Sequence, residues 1–234
     1  MSSVAVIDIG SNSIKALLAR RSAAGTWESV HTRTIDARIS AGLGRAEPRL
    51  SDEGMHRGLA AVQLLLDDLA PHQPGQFVLV ATSAVRDARN GDEFRERVHT
   101  ATGHTIRILS GEEEANLIGR GLTCDPSLRE LQDFYVFDLG GGSLECLGFR
   151  ARHAHCALSL PLGCVRLTEK FVADSAAPLS AAVLDDIAAH TAALLQERGF
   201  VFDLGPTASA VGTGGTLTTV RAIRAARLGV TLEQ

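Results

Sequence analysis

Two stretches far apart in the chain share one design, and this repetition constrains the fold more than any other feature. VAVIDIGSNSIKALLA begins at Val4 and YVFDLGGGSLECLGF begins at Tyr135. Each reads as an apolar strand ending on aspartate (Asp8, Asp138), one more apolar residue, a turn of Gly and small polar residues, and a returning strand. Alternation at Ile14, Ala16 and Leu18 predicts that the first turn joins antiparallel strands. A lone turn of this kind commonly just connects strands. Two copies in equivalent positions point to an internal duplication.

The segments between them fit that reading. A third strand is predicted over 27–35, followed by a Gly-rich loop over 37–49. Ser51 is a good N-cap, Asp52 and Glu53 suit a first turn, and Leu59, Val62, Leu65, Leu66 and Leu69 form a helical stripe that Pro71 and Pro74 end. A strand at 77–81, a helix at 92–100, a strand at 105–109 and a helix at 112–121 complete the order βββαβαβα. The pattern restarts with strands at 134–139, 144–149 and 154–160. A helical region follows at 165–198, broken near Ala177 and Pro178, then a strand at 208–211 and a helix at 216–228. The expected architecture is an α/β protein of two duplicated domains, 1–127 and 128–234. The second copy lacks its last βα unit, so the chain reads as C-terminally shortened.

Composition narrows the ligand classes. The 234 residues carry a formal net charge of −4 with a pI near 6.1, so nothing attracts nucleic acid or an anionic membrane globally. Any anionic ligand must be held by a local site. The opening MSSVAVIDIG lacks a basic n-region and its apolar run is interrupted by Asp8, which fits neither a signal peptide nor a membrane span; a cytoplasmic protein is expected. Cys124, Cys146, Cys156 and Cys164 show no metal-like spacing and are expected to be buried or half-buried free thiols. His153 and His155 would share a strand face, which without a companion ligand reads as solvated.

The turns themselves carry the first chemical argument. Amides in Gly/Ser-rich turns form anion-binding concavities, and Gly10, Ser11, Asn12 and Ser13 would face Gly140, Gly141, Gly142 and Ser143 across a phosphate-binding cleft. A third turn, GTGGT (Gly212, Thr213, Gly214, Gly215, Thr216), opens a helix directly after a strand and suits an anion by itself. It is not GxGxxG, so a dinucleotide fold is unsupported. Asp8 and Asp138 would suit Mg²⁺ held partly through water, or else brace their own turns through Asx-type hydrogen bonds. SGEEEA places three carboxylates in a first helical turn, where they complement the macrodipole, yet also where an α/β sheet presents its ligands. Glu145 would point to the same side as Ser143 and could share a water or metal. Arg89, Arg120 and Arg166 would either extend a basic track or stand as scattered surface charge.

Six motifs in order resemble one family: AVIDIGSNSIK, ATSAVRDARNGDEF, ILSGEEEANLI, VFDLGGGSLE, LPLGCVRLTEKF and AVGTGGTLTTV. The family is that of exopolyphosphatases and guanosine pentaphosphate phosphatases, within the sugar kinase, Hsp70 and actin superfamily. The resemblance implies two ribonuclease-H-like domains around the cleft, and a Mg²⁺-dependent phosphohydrolase acting on inorganic polyphosphate or guanosine pentaphosphate. It singles out Glu114, just before Ala115, to orient or deprotonate the attacking water; Glu145, from its place two residues after Ser143, is the second candidate catalytic carboxylate. It makes Arg86, beside Thr82 and Ser83, a phosphate contact. Lys15 stands where similar proteins carry Arg or His, which keeps the cation and loses the planar fork. Two other readings remain open: a non-catalytic polyphosphate or alarmone binder, and an ATP-dependent kinase of the same superfamily. An uncovered edge in the shortened copy would favour a homodimer.

Overall fold

The computed structural model describes residues 2–41 and 47–231, so residues 42–46 of the expected Gly-rich loop lie outside the described residues. The chain forms two compact units, Met1–Ser110 and Gly111–Gln234.

In the first unit, β1 (Ser3–Ile9), β2 (Ile14–Arg21) and β3 (Trp27–Ile35) form a meander, followed by α1 (Asp52–Leu69), β4 (Gln76–Ala81), α2 (Ser83–Arg86), α3 (Gly91–Thr102) and β5 (Ile106–Ile108). The sheet order is β3-β2-β1-β4-β5, with β1, β4 and β5 parallel. The period-two pattern buries Ala5, Ile7 and Ile9 of β1 and Ile14, Ala16 and Leu18 of β2. They meet Val62, Leu65 and Leu69 of α1 and Phe94 and Val98 of α3 in one core. The Ser51 hydroxyl caps α1 by accepting from Gly54 N–H at 3.0 Å. Past Leu69 the chain tightens into a 3₁₀ turn containing Pro71, which cannot continue the helix.

The second unit contains α4 (Gly111–Thr123), β6 (Phe134–Leu139), β7 (Leu144–Arg150), β8 (His153–Leu160), α5 (Cys164–Phe171), α6 (Ala181–Glu197), β9 (Ser209–Thr213) and α7 (Gly214–Leu228). Its sheet order, β8-β7-β6-β9, repeats the first four positions of the other sheet; among the described residues no strand follows β9. The fold is thus a mixed α/β duplication of ribonuclease-H-like order, with no counterpart of β5 among the described residues of the second copy. One face of this sheet packs Phe134, Val136, Leu147 and Phe149 against Ala115 of α4. The other packs Tyr135, Cys146 and Leu160 with Leu162 and Phe200, against Leu167 of α5 and Leu194 and Leu195 of α6.

Three details differ from the sequence reading. The helix after β5 packs on the second sheet, so the compact units divide at Ser110 rather than at the expected 127/128. The four-residue helix α2 is too short to show a period. Cys124 is exposed rather than buried, because α4 ends at Thr123 and the chain leaves the sheet there. The other three thiols are buried or half-buried. His155 lies near the Asp203 carboxylate at 3.3 Å, and no group of three or more His, Cys, Asp or Glu side chains is arranged to hold a metal ion by itself among the described residues. No helix among them is long and apolar enough to cross a membrane.

Candidate active site

Both hairpin turns are closed by the same bond, and each is braced, at carbonyls one position apart. Gly10 N–H donates to the Ser13 carbonyl at 3.2 Å, and Gly140 N–H to the Ser143 carbonyl at 3.0 Å. The chain that follows the third strand then holds each turn from behind. In the first unit Ser40 and Arg38 N–H donate to the carbonyls of Ser11 and Asn12 at 3.2 and 2.7 Å. In the second, Cys164 and Val165 N–H donate to those of Gly140 and Gly141 at 3.0 and 2.9 Å. A trans peptide is planar with C=O and N–H opposed, so pinning these carbonyls directs the amides of Asn12, Ser13, Gly141 and Gly142 away from the brace. Outward amides in series are what an anion-binding turn requires.

In the first unit the remaining residues collect at the C-terminal ends of the parallel strands, where α/β sheets hold ligands. The hydroxyls of Ser11 and Ser83 lie 3.2 Å apart in a buried pair, and Thr82 N–H donates to the Ile9 carbonyl at 3.3 Å. Arg86, at the end of α2, donates to the Leu109 carbonyl beyond β5 and to the Asp87 carboxylate, each at 3.2 Å. Lys15 is exposed and lies opposite Asp8 in the β1/β2 register.

The second unit holds the carboxylates. Asp138, Glu145 and Ser159 form a row across β6, β7 and β8, paired Asp138 to Glu145 and Glu145 to Ser159. Directly paired residues share a face, and this is the face that α4 covers. Glu145 is only 2% exposed. Burial pushes its carboxyl up to about 7, helped by the negative charges of Glu114 and Asp138 and opposed by hydrogen bonds from the Ser159 and Ser143 hydroxyls. The Ser159 hydroxyl donates to Oε1 at 2.7 Å. Glu114 stands one turn before Ile118 and two before Leu122, both of which pack on the core beneath α4. That spacing distinguishes it from Glu112, which is exposed.

Asp138 is held from the third turn. The Thr213 hydroxyl donates to its Oδ2 at 2.5 Å. Gly214 follows with φ +93°, and a Cβ there would stand 2.6 Å from Asp138 Oδ1. Only glycine combines that backbone conformation with that approach. The Thr216 hydroxyl reaches the Gly140 carbonyl at 3.5 Å, so this turn and the second hairpin turn are joined. The structure thus brings Glu114, Asp138, Ser143, Glu145, Thr213 and Thr216 together within one unit. Arg89 pairs with Glu47 at 3.1 Å and Arg120 is exposed, as surface charges are.

Sequence reasoning missed Ser159, the tie between Thr213 and Asp138, and Gly163. A Cβ on Gly163 would fall 2.3 Å from the backbone of Gly141 and Gly142. The available signal for Ser159 was a polar residue within the apolar run CALSL, at the register position facing Glu145.

The model of the Ppx/GppA phosphatase family matches residues 18–232. An exopolyphosphatase-like protein of known structure is 29% identical with a TM-score of 0.87, over 98% of this chain and 70% of that one. The Ppx/GppA enzyme of Aquifex aeolicus is 26% identical with a TM-score of 0.72, over 95% of this chain and 71% of its own. An exopolyphosphatase from Cytophaga hutchinsonii, at 20% identity, shares the fold with a TM-score of 0.87 over 99% of this chain and 73% of its own. The duplicated, braced hairpins and the match along nearly the whole length agree: the chain belongs to the Ppx/GppA phosphatase family.

Proposed function

We propose that this chain is a Mg²⁺-dependent phosphohydrolase that releases terminal phosphate from inorganic polyphosphate or guanosine pentaphosphate. The observation that carries the proposal is Glu145. It is a buried carboxylate, its carboxyl pushed up by burial and by the charge of Glu114, and hydrogen-bonded by Ser143 at the edge of a braced glycine turn. Hydrolysis of a phosphoanhydride needs the phosphoryl group held, its charge offset and a water aligned behind it. The amides of Gly141 and Gly142 hold the group, and Glu114 and Glu145 orient the water and take its proton. Two carboxylates that repel each other favour binding one proton between them, which suits a base working near pH 7. The first unit has donors of its own for phosphate in Arg86, Lys15 and the Ser11 and Ser83 hydroxyls.

The donor set fits magnesium. Asp138 offers hard oxygens, is partly exposed, and faces a backbone at Gly214 from which no Cβ intrudes. Asp138 would hold the ion with water and phosphate oxygens completing the shell, since magnesium keeps several waters; Asp8 is the equivalent carboxylate at the hairpin of the first unit. When bound, the ion neutralises charge developing on the phosphate oxygens.

Phosphate release is the test, measured on polyphosphate, guanosine pentaphosphate, and ATP plus a sugar, each with and without Mg²⁺. Glu114→Gln is expected to lower kcat roughly 10²- to 10⁴-fold while melting as the parent does. Glu113→Gln, on the same helical turn, is expected to stay within about threefold. Equal behaviour of the two variants would sink the assignment.

A further inference from the structure

We infer that Ser159 is a positioning residue, fixing the orientation of the Glu145 carboxylate from the neighbouring strand and seating the helix that carries Glu114. This rests on the phosphohydrolase reading above. Three observations support it. First, the Ser159 hydroxyl donates to Glu145 Oε1 at 2.7 Å, and Ser143 hydrogen-bonds the same carboxylate from the turn. A glutamate has three rotatable side-chain bonds, and two hydroxyl anchors on separate segments remove most of that freedom. Second, the neighbours of Ser159 are apolar: Leu158 and Leu160 pack in the core of the opposite face, and Ala157 packs beneath α4. A hydroxyl in such a strand is costly without a partner, and its partner is the carboxylate.

Third, the first residue of α4 rests on Ser159. A Cβ on Gly111 would lie 2.7 Å from Ser159 Cβ and 3.2 Å from its Oγ. The absence of a side chain at 111 and the shortness of the one at 159 let the start of the helix reach the sheet. Glu114 lies three residues further on, where its charge acts on Glu145. One small residue therefore touches both elements that carry the paired carboxylates.

A double-mutant cycle tests this. Ser159→Ala keeps the Cβ that faces Gly111 and removes the hydroxyl that donates to Glu145. The expected result is a drop in kcat of about 10- to 100-fold, the scale of a hydrogen bond to a charged group, with KM within about threefold and an unchanged melting midpoint. In a Glu145→Gln background, adding Ser159→Ala should change kcat by less than about twofold, because the group through which it acts is gone. An unchanged kcat in Ser159→Ala overturns the inference, as does an equal loss in both backgrounds, or a lowered melting midpoint with normal turnover per folded molecule. A parent without phosphate release, or Glu145→Gln with the parent's kcat, overturns the phosphohydrolase reading itself and the role of Ser159 with it.

Discussion

At the scale of single residues, Glu145 makes stability depend on pH in a direction opposite to most carboxylates. Its folded-state value is raised from 4.5 to about 7, so between those values the folded chain binds the proton more tightly than the unfolded chain. The contribution is fully present below about pH 4.5 and is lost as pH rises through 7, amounting to at most about 3 kcal/mol. Urea unfolding in Mg²⁺-free buffer from pH 5 to 8 should show the parent losing stability, and Glu145→Gln should show a flatter profile. Parallel profiles would mean that the burial and the Glu114 charge do not act as described. Cys146, directly after Glu145, is a buried thiol pushed up to about 12 by burial first and by the Glu145 charge second, so it stays protonated and unreactive.

At the scale of elements, the brace behind each turn is the part that organises the site. Gly163 has φ −63° and ψ 151°, a conformation open to any residue, so its size alone explains it. Gly163→Ala would press a methyl group into the Gly141 and Gly142 backbone, costing about 1–3 kcal/mol by overpacking and displacing the turn amides. Gly121→Ala, in the last part of α4 with nothing near its Cβ, should instead be neutral or slightly stabilising. Thermal melts of both variants, with phosphate release per folded molecule, check this; a Gly163→Ala protein that melts and turns over like the parent would refute the brace. Much at this level was legible in the chain. The hairpins follow from period-two alternation around Asp-x-Gly, and α1 from its cap and stripe. Which sheet α4 covers was not legible. Ala115, Ile118, Gly119 and Leu122 make an apolar stripe that either sheet could accept, and sequence adjacency to β5 suggests the wrong one. Likewise Glu114 was singled out by resemblance, whereas the reason for it, a place on the stripe that meets the sheet, needed the fold. Ser159 required the β7/β8 register before its partner could be identified.

At the scale of the whole molecule, the two sheets are unequal: β4 is flanked by β5, while β9 has no strand beyond it among the described residues. Val220, Ile223 and Leu228 of α7 are 57%, 52% and 65% exposed, and Phe202, before β9, is 60% exposed. Exposed large apolar side chains of this kind promote association. Sedimentation over a concentration series should therefore detect self-association, and Val220→Glu with Ile223→Glu should weaken it. A strictly monomeric parent would remove that expectation. The duplication has also left its two copies unlike at one position. Opposite the hairpin aspartate one copy carries Lys15 and the other Glu145. Two copies of a gene segment are free to drift apart where a single copy must serve every purpose at once. Here one register position has changed sign between siblings, leaving one descendant cationic and the other acidic on an inherited backbone.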